Sequence, residues 1–513
     1  MDGAKRSFPF QGDETLEITP LGAGNEVGRS CCLMKFKGKT IMFDCGVHPG
    51  YKGEESLPFF DECCPEEVDL LLVTHFHNDH AAAVPFFMRK TAFKGKAYMT
   101  YPTLAICKLI WSDFKNISSI SDEQGTTKLY TDQDIQSASE QIIPIDYHQE
   151  VEHEGIKFMC YNAGHVLGAC MFLVQIAGVR VLYTGDYSRQ EDRHLMAAEM
   201  PPFKVNVLIV ESTYGVQEHE PRRAREKLFI DTVISTLRSG GRVLLPVFAI
   251  GRAQELLLLL DDYWTRNPEL QRHFPVFCIS GIARKAIAPF QTYINQMNTR
   301  IQRLNDVDNP FRLPNIKYLN SMHEFEQSTG GDTRPSVVMA SPGMLQSGLS
   351  REFLDRWAES RHNALVITGY SVHGTTARDL LESNPQMHQR LDGREVPCRI
   401  RVHEISFSAH ADFLQTSQFI DELRPGNIIL VHGEQNMMAS LKKNLLGRYE
   451  GVGIWSPMNT AHVRLEFPES KVAKVVGAAA AERPKDGQPV RGVVLHRNFQ
   501  LTVVSVEDMA AHA

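Results

Sequence analysis

The sequence predicts a layered α/β protein in which one domain is interrupted by a second. Three observations carry this. Short apolar runs alternate with Gly- and Asp-rich turns over residues 16–214, and several end in an acid or a histidine: Asp44, His75, Asp186 and Glu211. Strand and helix patterns alternate over 215–401, the mark of a parallel sheet. His and acid motifs stop at Glu211 and resume at His410, which makes the middle segment an insertion into a domain built from both flanks.

Composition sets the outer limits. At 513 residues the chain exceeds one ordinary core, so two or more large domains are expected. Hydrophobic residues are 43% and charged residues 22%, a globular balance. The net charge of -7 argues against a generic, charge-driven nucleic-acid binder, which would be basic overall. Any hold on nucleic acid must be local to a groove or supplied by bound metal. None of the ten cysteines forms a C-x-x-C pair. Several lie in apolar runs such as Ile156-Lys157-Phe158-Met159-Cys160, so buried free thiols are expected. Met1-Asp2-Gly3-Ala4-Lys5-Arg6 has no apolar signal core. Runs such as 256–260 fall far short of the ~20 residues that cross a bilayer. A soluble, intracellular protein is expected.

In the first segment strands are expected at 16–20, 32–36, 40–43, 70–73, 157–161, 171–176, 179–183 and 205–210. The strand at 70–73 runs into Thr74-His75-Phe76-His77-Asn78-Asp79-His80. Side chains alternate on extended backbone, so His75 and His77 share one space. Asp79 and His80 follow as the chain turns and offer a second set. Imidazole and carboxylate are the ligands that zinc and similar divalent ions take. Without an ion, such a cluster would be costly to fold around.

In the middle segment strands are expected at 242–248, 276–280, 337–341 and 364–369. A helix is expected to begin at 249–252 and to bury Leu256, Leu257 and Leu260. The third segment holds a strand at 427–431, a helix at 435–449, a Gly-, Pro- and charge-rich linker, and one strand-like stretch at 492–504. The expected organisation is a first domain part over 1–214, an insert over 215–401, a second domain part over 402–476, and a linker with the start of a C-terminal region over 477–513.

Four further motifs have the character of a site: Gly164-His165, Gly185-Asp186, Ser408-Ala409-His410-Ala411-Asp412 and Val431-His432-Gly433-Glu434. A single loop histidine among them means little; the weight comes from the set. Glu211 also fits a strand-end acid paired with an arginine, and Asp44 a turn residue. His194, His219 and His403 are given no ligand role. Arg252, Arg284, Lys285 and Arg378 are candidate phosphate contacts.

His75-x-His77-x-Asp79-His80, followed by His165 and Asp186, resembles the metallo-β-lactamase signature. Glu211-Ser-Thr-Tyr-Gly, Ser-Ala-His410 and Val-His432-Gly resemble the three extra motifs of its β-CASP branch of nucleases. Pro20 to Ser30, Leu182 to Met196 and Met339 to Met344 look like the nuclease-subunit family of the cleavage and polyadenylation factor, and the resemblance spans about residues 15 to 505. It implies an αββα metallo-β-lactamase sandwich with an inserted, parallel-sheet β-CASP domain. It implies two zinc ions: His75, His77 and His165 on one, Asp79, His80 and His432 on the other, Asp186 bridging, and Asp44 orienting a ligand histidine.

The activity implied is endonucleolytic cleavage of pre-mRNA in the nucleus by hydroxide attack, with Asp79 at the reacting centre. His410 would be the acid for the leaving 3′ oxygen, and Glu211 its hydrogen-bond partner. RNA would enter a cleft between the domains. The implied partners are single-stranded RNA, a non-catalytic paralogous subunit and scaffold subunits of the complex, with no membrane. His432 stands where DNA-acting members typically carry Val, which favours RNA. Asn78 stands where the family expects an apolar residue. The Integrator-type nuclease subunit and a zinc-stabilised, non-catalytic assembly subunit are the alternative readings.

Overall fold

A computed structural model describes residues 14–512 apart from 118–119, 123–124, 249, 333, 469–472, 482–490 and 498. Its centre is a pair of seven-stranded mixed sheets packed face to face. The first runs, edge to edge, Val463–Glu466, Thr15–Gly22, Cys31–Phe36, Lys39–Phe43, Leu70–Leu72, Lys96–Thr100 and Ile143–Ile145. The second runs Gly453–Trp455, Asn427–Val431, Val207–Glu211, Val179–Tyr183, Cys170–Ile176, Ile156–Asn162 and Val151–His153.

Alternation along each strand explains the layering. Ile41, Phe43, Leu70, Leu72, Val207, Ile209 and Ile429 point between the sheets and pack with Phe158 and Phe172. Their neighbours Met42, Leu71, Leu208, Val210, Ile428 and Leu430 point outward into helices that include Val84–Lys90 and Gln435–Arg448. A strand apolar on both faces must be covered on both, and the αββα sandwich follows.

The insert is a six-stranded parallel sheet in the order Ile316–Leu319, Val276–Ile279, Val337–Ala340, Val243–Pro246, Ala364–Ile367 and Arg401–Glu404. Val243, Leu245 and Val276 pack on helix Arg252–Arg266 through Leu256 and Leu260. Leu244, Phe277 and Val338 pack on Phe353 and Trp357 from the opposite side. The break read after Arg401 falls at the first residue of the last strand, so the insert's sheet continues to Glu404.

The interruption is physical. Asn427–Val431 lies parallel beside Val207–Glu211 with Val431 opposite Glu211, and Val463–Glu466 lies antiparallel to Thr15–Gly22. The chain therefore returns to complete both sheets of the first domain. Two local expectations differ. The helix begins at Arg252, because Gly251 has φ 111, outside helical geometry, and Ala249 lies outside the described residues. The stretch at 492–504 is a hairpin of Val493–Arg497 and Gln500–Val504, whose turn places Phe499 at φ 62. Apolar residues on both arms hid that turn. All ten cysteines are free, and Cys31, Cys32, Cys45, Cys107, Cys160, Cys170 and Cys278 are buried. No described helix is long and apolar enough to cross a membrane.

Candidate metal centre

The site lies where strand ends from both sheets meet. His75 and His77 follow strand Leu70–Leu72, and helix Asn78–Ala81 carries Asp79 and His80. Asp186 follows Val179–Tyr183, Glu211 ends Val207–Glu211, and His432 follows Asn427–Val431. His432 has φ 51, and Gly433 beside it lets the chain pass close to Ser212, whose carbonyl oxygen a Cβ would meet at 2.6 Å.

Two groups of donors form. In the first, His77 Nδ1 lies 3.0 Å from His75 Nε2 and 3.1 Å from His165 Nε2. Asp186 Oδ2 is 3.6 Å from each of His75 Nε2 and His165 Nε2. In the second, His432 Nε2 lies 3.3 Å from both His80 Nε2 and Asp79 Oδ2. Asp186 Oδ2 is 3.3 Å from His80 Nε2, so this carboxylate borders both groups.

The donor set fits metal. Ring nitrogens held about 2.0–2.1 Å from one tetrahedral zinc stand about 3.3–3.4 Å apart, close to the spacings found. Asp186 Oδ1 is buried and accepts no hydrogen bond, with His432 Nδ1 3.4 Å away, so this carboxylate has an oxygen not committed to a protein donor. Burial drives His75 and His165 well below the usual imidazole range and His77 to about 4, so these rings are held neutral, the form that can bind an ion. Burial opposes ionisation of Asp186, but His432, His80 and His410 outweigh it and hold the carboxyl well below its ordinary value.

The outer ring nitrogens are also held. His80 Nδ1 donates to Asp44 Oδ2 at 2.8 Å. Asp44 further accepts from the Thr74 amide at 2.7 Å, the Thr74 hydroxyl at 2.9 Å and the Tyr183 hydroxyl at 3.0 Å. Its φ of 58 places it in a left-handed turn, so the turn role and the partner role coexist. His165 Nδ1 donates to the Ala409 carbonyl at 2.8 Å. Such partners fix ring orientation and tautomer.

His410 stands beside the donors. Its Nδ1 donates to Glu211 Oε2 at 2.7 Å and comes no nearer than 3.9 Å to Asp186. Burial lowers the pKa of His410, but Glu211 and Asp186 outweigh it and push it up to about 9. The other Glu211 oxygen accepts the Tyr187 amide at 2.9 Å. Glu211 is thus engaged by His410, Tyr187 and Thr213, not in the arginine pair that a strand-end acid also allows.

These groups open on a cleft of about 850 Å³, counting space open to solvent. One wall carries His77, Asp79 and His432; the insert supplies Phe248, Met344, Tyr370 and Val372. Contacts cross it: Val27 packs on Met344 and Val372, and the Tyr370 hydroxyl donates to Glu434 at 2.8 Å. A Cβ on Gly251 would lie 3.3 Å from His77 Nε2, so the insert reaches the centre itself.

The four cations divide. Arg252 borders the cleft, but its guanidinium donates to the His165 carbonyl at 2.8 Å and pairs with Asp192 at 2.8 Å. Arg284 and Lys285 are exposed on helix Ala283–Thr292, away from the cleft lining. Arg378 pairs with Glu382 at 2.7 Å and is likewise outside that lining. Asn78 lines the cleft and its backbone carbonyl anchors Val47.

Among histidines given no role, His194 is buried against Asp192 and Glu255 in a separate cluster. His219 supports His410, its Nε2 donating to the His410 carbonyl at 2.9 Å. Thr74, Tyr183 and Thr213 also serve the site, and nothing in sequence spacing marked them. All three lie inside runs that already carried motif residues.

Fold and site together define a metal-dependent hydrolase of the metallo-β-lactamase fold with a β-CASP insert. Family models match accordingly: a metallo-β-lactamase superfamily domain over 33–210, a β-CASP domain over 253–380, and a Zn-dependent metallo-hydrolase RNA specificity domain over 395–457. The chain belongs to the family of cleavage and polyadenylation specificity factor subunit 3. It is 50% identical to subunit 3 of Dictyostelium discoideum, over 97% of this chain and 63% of that protein. It is 49% identical to subunit 3-I of Arabidopsis thaliana, over 98% of this chain and 72% of that protein. It is 46% identical to endoribonuclease ysh1 of Schizosaccharomyces pombe, over 98% of this chain and 65% of that protein. The chain thus spans roughly two thirds of the length of these relatives.

Proposed function

We propose that this chain is a two-zinc endoribonuclease that cuts pre-mRNA at the 3′-end processing site. The observation that carries this is seven convergent donors, five of them lining one cleft, with the hydrogen-bonded His410–Glu211 pair beside them. His75, His77 and His165 would hold one ion and Asp79, His80 and His432 the other, with the Asp186 carboxylate within reach of both groups. When bound, the ions supply Lewis acidity and make water nucleophilic near neutral pH.

The remaining work falls to the chain. Glu211 accepts the Nδ1 proton of His410, which turns the other ring nitrogen towards the cleft. Attack at phosphorus breaks the bond to the 3′ oxygen. His410 hands that oxygen a proton, giving a 3′-hydroxyl upstream and a 5′-phosphate downstream. The insert forms the far wall of the cleft, as a polymer substrate requires.

The names of the relatives, a cleavage and polyadenylation factor subunit and an endoribonuclease, support RNA cleavage within a cleavage complex; the proposal adds single-stranded RNA as substrate and the nucleus as location. A non-catalytic paralogous subunit and scaffold subunits would complete that complex. The test is zinc content and cleavage of single-stranded RNA by the wild-type chain and by an Asp79→Ala/His80→Ala variant. Two zinc ions per chain, and cleavage lost in the variant, are expected. Cleavage that survives the double substitution refutes the mechanism; a wild-type chain that binds zinc yet never cuts RNA supports the assembly-subunit alternative.

A further inference from the structure

Thr213 stands between the two halves of the site and belongs to neither. It is buried, two residues beyond Glu211. Its Oγ1 lies 2.5 Å from Glu211 Oε2, 3.0 Å from His432 Nδ1, 3.2 Å from the His432 carbonyl oxygen and 3.3 Å from His410 Nδ1. A hydroxyl has one proton to give. The carboxylate is the nearest acceptor and the charged one, so it takes that proton ahead of the carbonyl. Oγ1 is then an acceptor towards His432, and the proton it accepts is the one on Nδ1. His410 has its own shorter bond to Glu211, 2.7 Å, and does not compete.

We propose that Thr213 is a positioning residue whose hydroxyl fixes the His432 ring for metal binding and joins it to the His410–Glu211 pair. The chain of bonds runs from His432 Nδ1–H to Thr213 Oγ1–H to Glu211 Oε2, where His410 Nδ1–H also arrives. With its proton placed on Nδ1, His432 presents a bare Nε2 to Asp79 and His80, each 3.3 Å away. The β-branched threonine holds few rotamers, so the hydroxyl is preset for this bond. His75, His77 and His165 make no hydrogen bond with Thr213, so the effect belongs to the Asp79–His80–His432 group. The proposal rests on the two-zinc reading above.

The experiment compares wild type with Thr213→Val, Thr213→Ala and Thr213→Ser. Zinc per chain is counted while a chelating dye competes for the metal, and thermal melting reports folding. Wild type and T213S are expected to hold both ions alike. T213V and T213A are expected to bind one ion about 10–100-fold more weakly and the other unchanged, the usual cost of losing such a partner. T213V retaining both ions at wild-type affinity overturns the assignment, as does T213S falling as far as T213V. If both hydroxyl-free variants fail to fold while T213S folds, the hydroxyl serves the fold as a whole and not one metal group, and the proposal falls. A wild-type chain that holds fewer than two ions overturns the two-zinc reading and this proposal with it; with wild type at two and T213V unchanged, the Thr213 assignment alone fails.

Discussion

Replacing His410 by alanine separates the acid role from the ligand role. Each ligand nitrogen has another donor-set atom within 3.0–3.3 Å, whereas His410 comes only to 3.9 Å from Asp186. Glu211 keeps the Tyr187 amide and the Thr213 hydroxyl after the ring is gone. The metal centre should therefore survive. What is lost is the proton for the leaving 3′ oxygen, worth about 10²–10⁴ in rate, or about 2.7–5.4 kcal/mol of barrier at 1.36 kcal/mol per tenfold. The lost bond between charged partners costs about 1.5–3 kcal/mol of stability, so rates are measured well below melting. The assay is single-turnover cleavage of RNA with zinc counted in parallel, repeated on a substrate whose scissile 3′ oxygen is sulfur. A thiolate leaves without a proton, so the defect should nearly vanish on that substrate. An equal defect on both substrates, or loss of zinc in His410→Ala, refutes the assignment.

Three further outcomes follow from the same geometry. Glu211 raises the pKa of His410, and His410 acts protonated, so activity falls as pH rises through that pKa; Glu211→Gln should move the fall to lower pH with both zincs kept, which a pH–rate profile checks. Asp44→Asn keeps a residue tolerant of φ 58 but faces donors on His80, Thr74 and Tyr183 with an amide, so zinc affinity should drop about 10–100-fold in metal titration. Val27→Asn puts an unpaired amide into the apolar contact with Met344 and Val372 without adding charge, and fluorescence binding should show tighter single-stranded RNA as the cleft parts; unchanged binding would show that this contact does not gate it.

Much of this protein was decided locally. Strand type followed from short, continuous apolar runs such as Val207–Glu211 bounded by turn residues, and the insert's parallel sheet from its strand–helix order, because both patterns are fixed by burial within a few residues. The cluster from His75 to His80 was legible for the same reason: its donors sit within one turn of chain. Asp44, Thr213 and Arg252 were not legible in this way. Arg252 reads as a candidate phosphate contact in sequence, and becomes the partner of Asp192 and of the His165 carbonyl only when the insert docks. Thr213 gains meaning because strand Asn427–Val431 returns to lie beside Val207–Glu211 and brings His432 against it. The sequence by itself determined which side chains were available and on which strand ends. Tertiary structure alone decided their pairing, since hydrogen bonds act over about 3 Å and metal ligation over about 2 Å, between residues far apart in the chain.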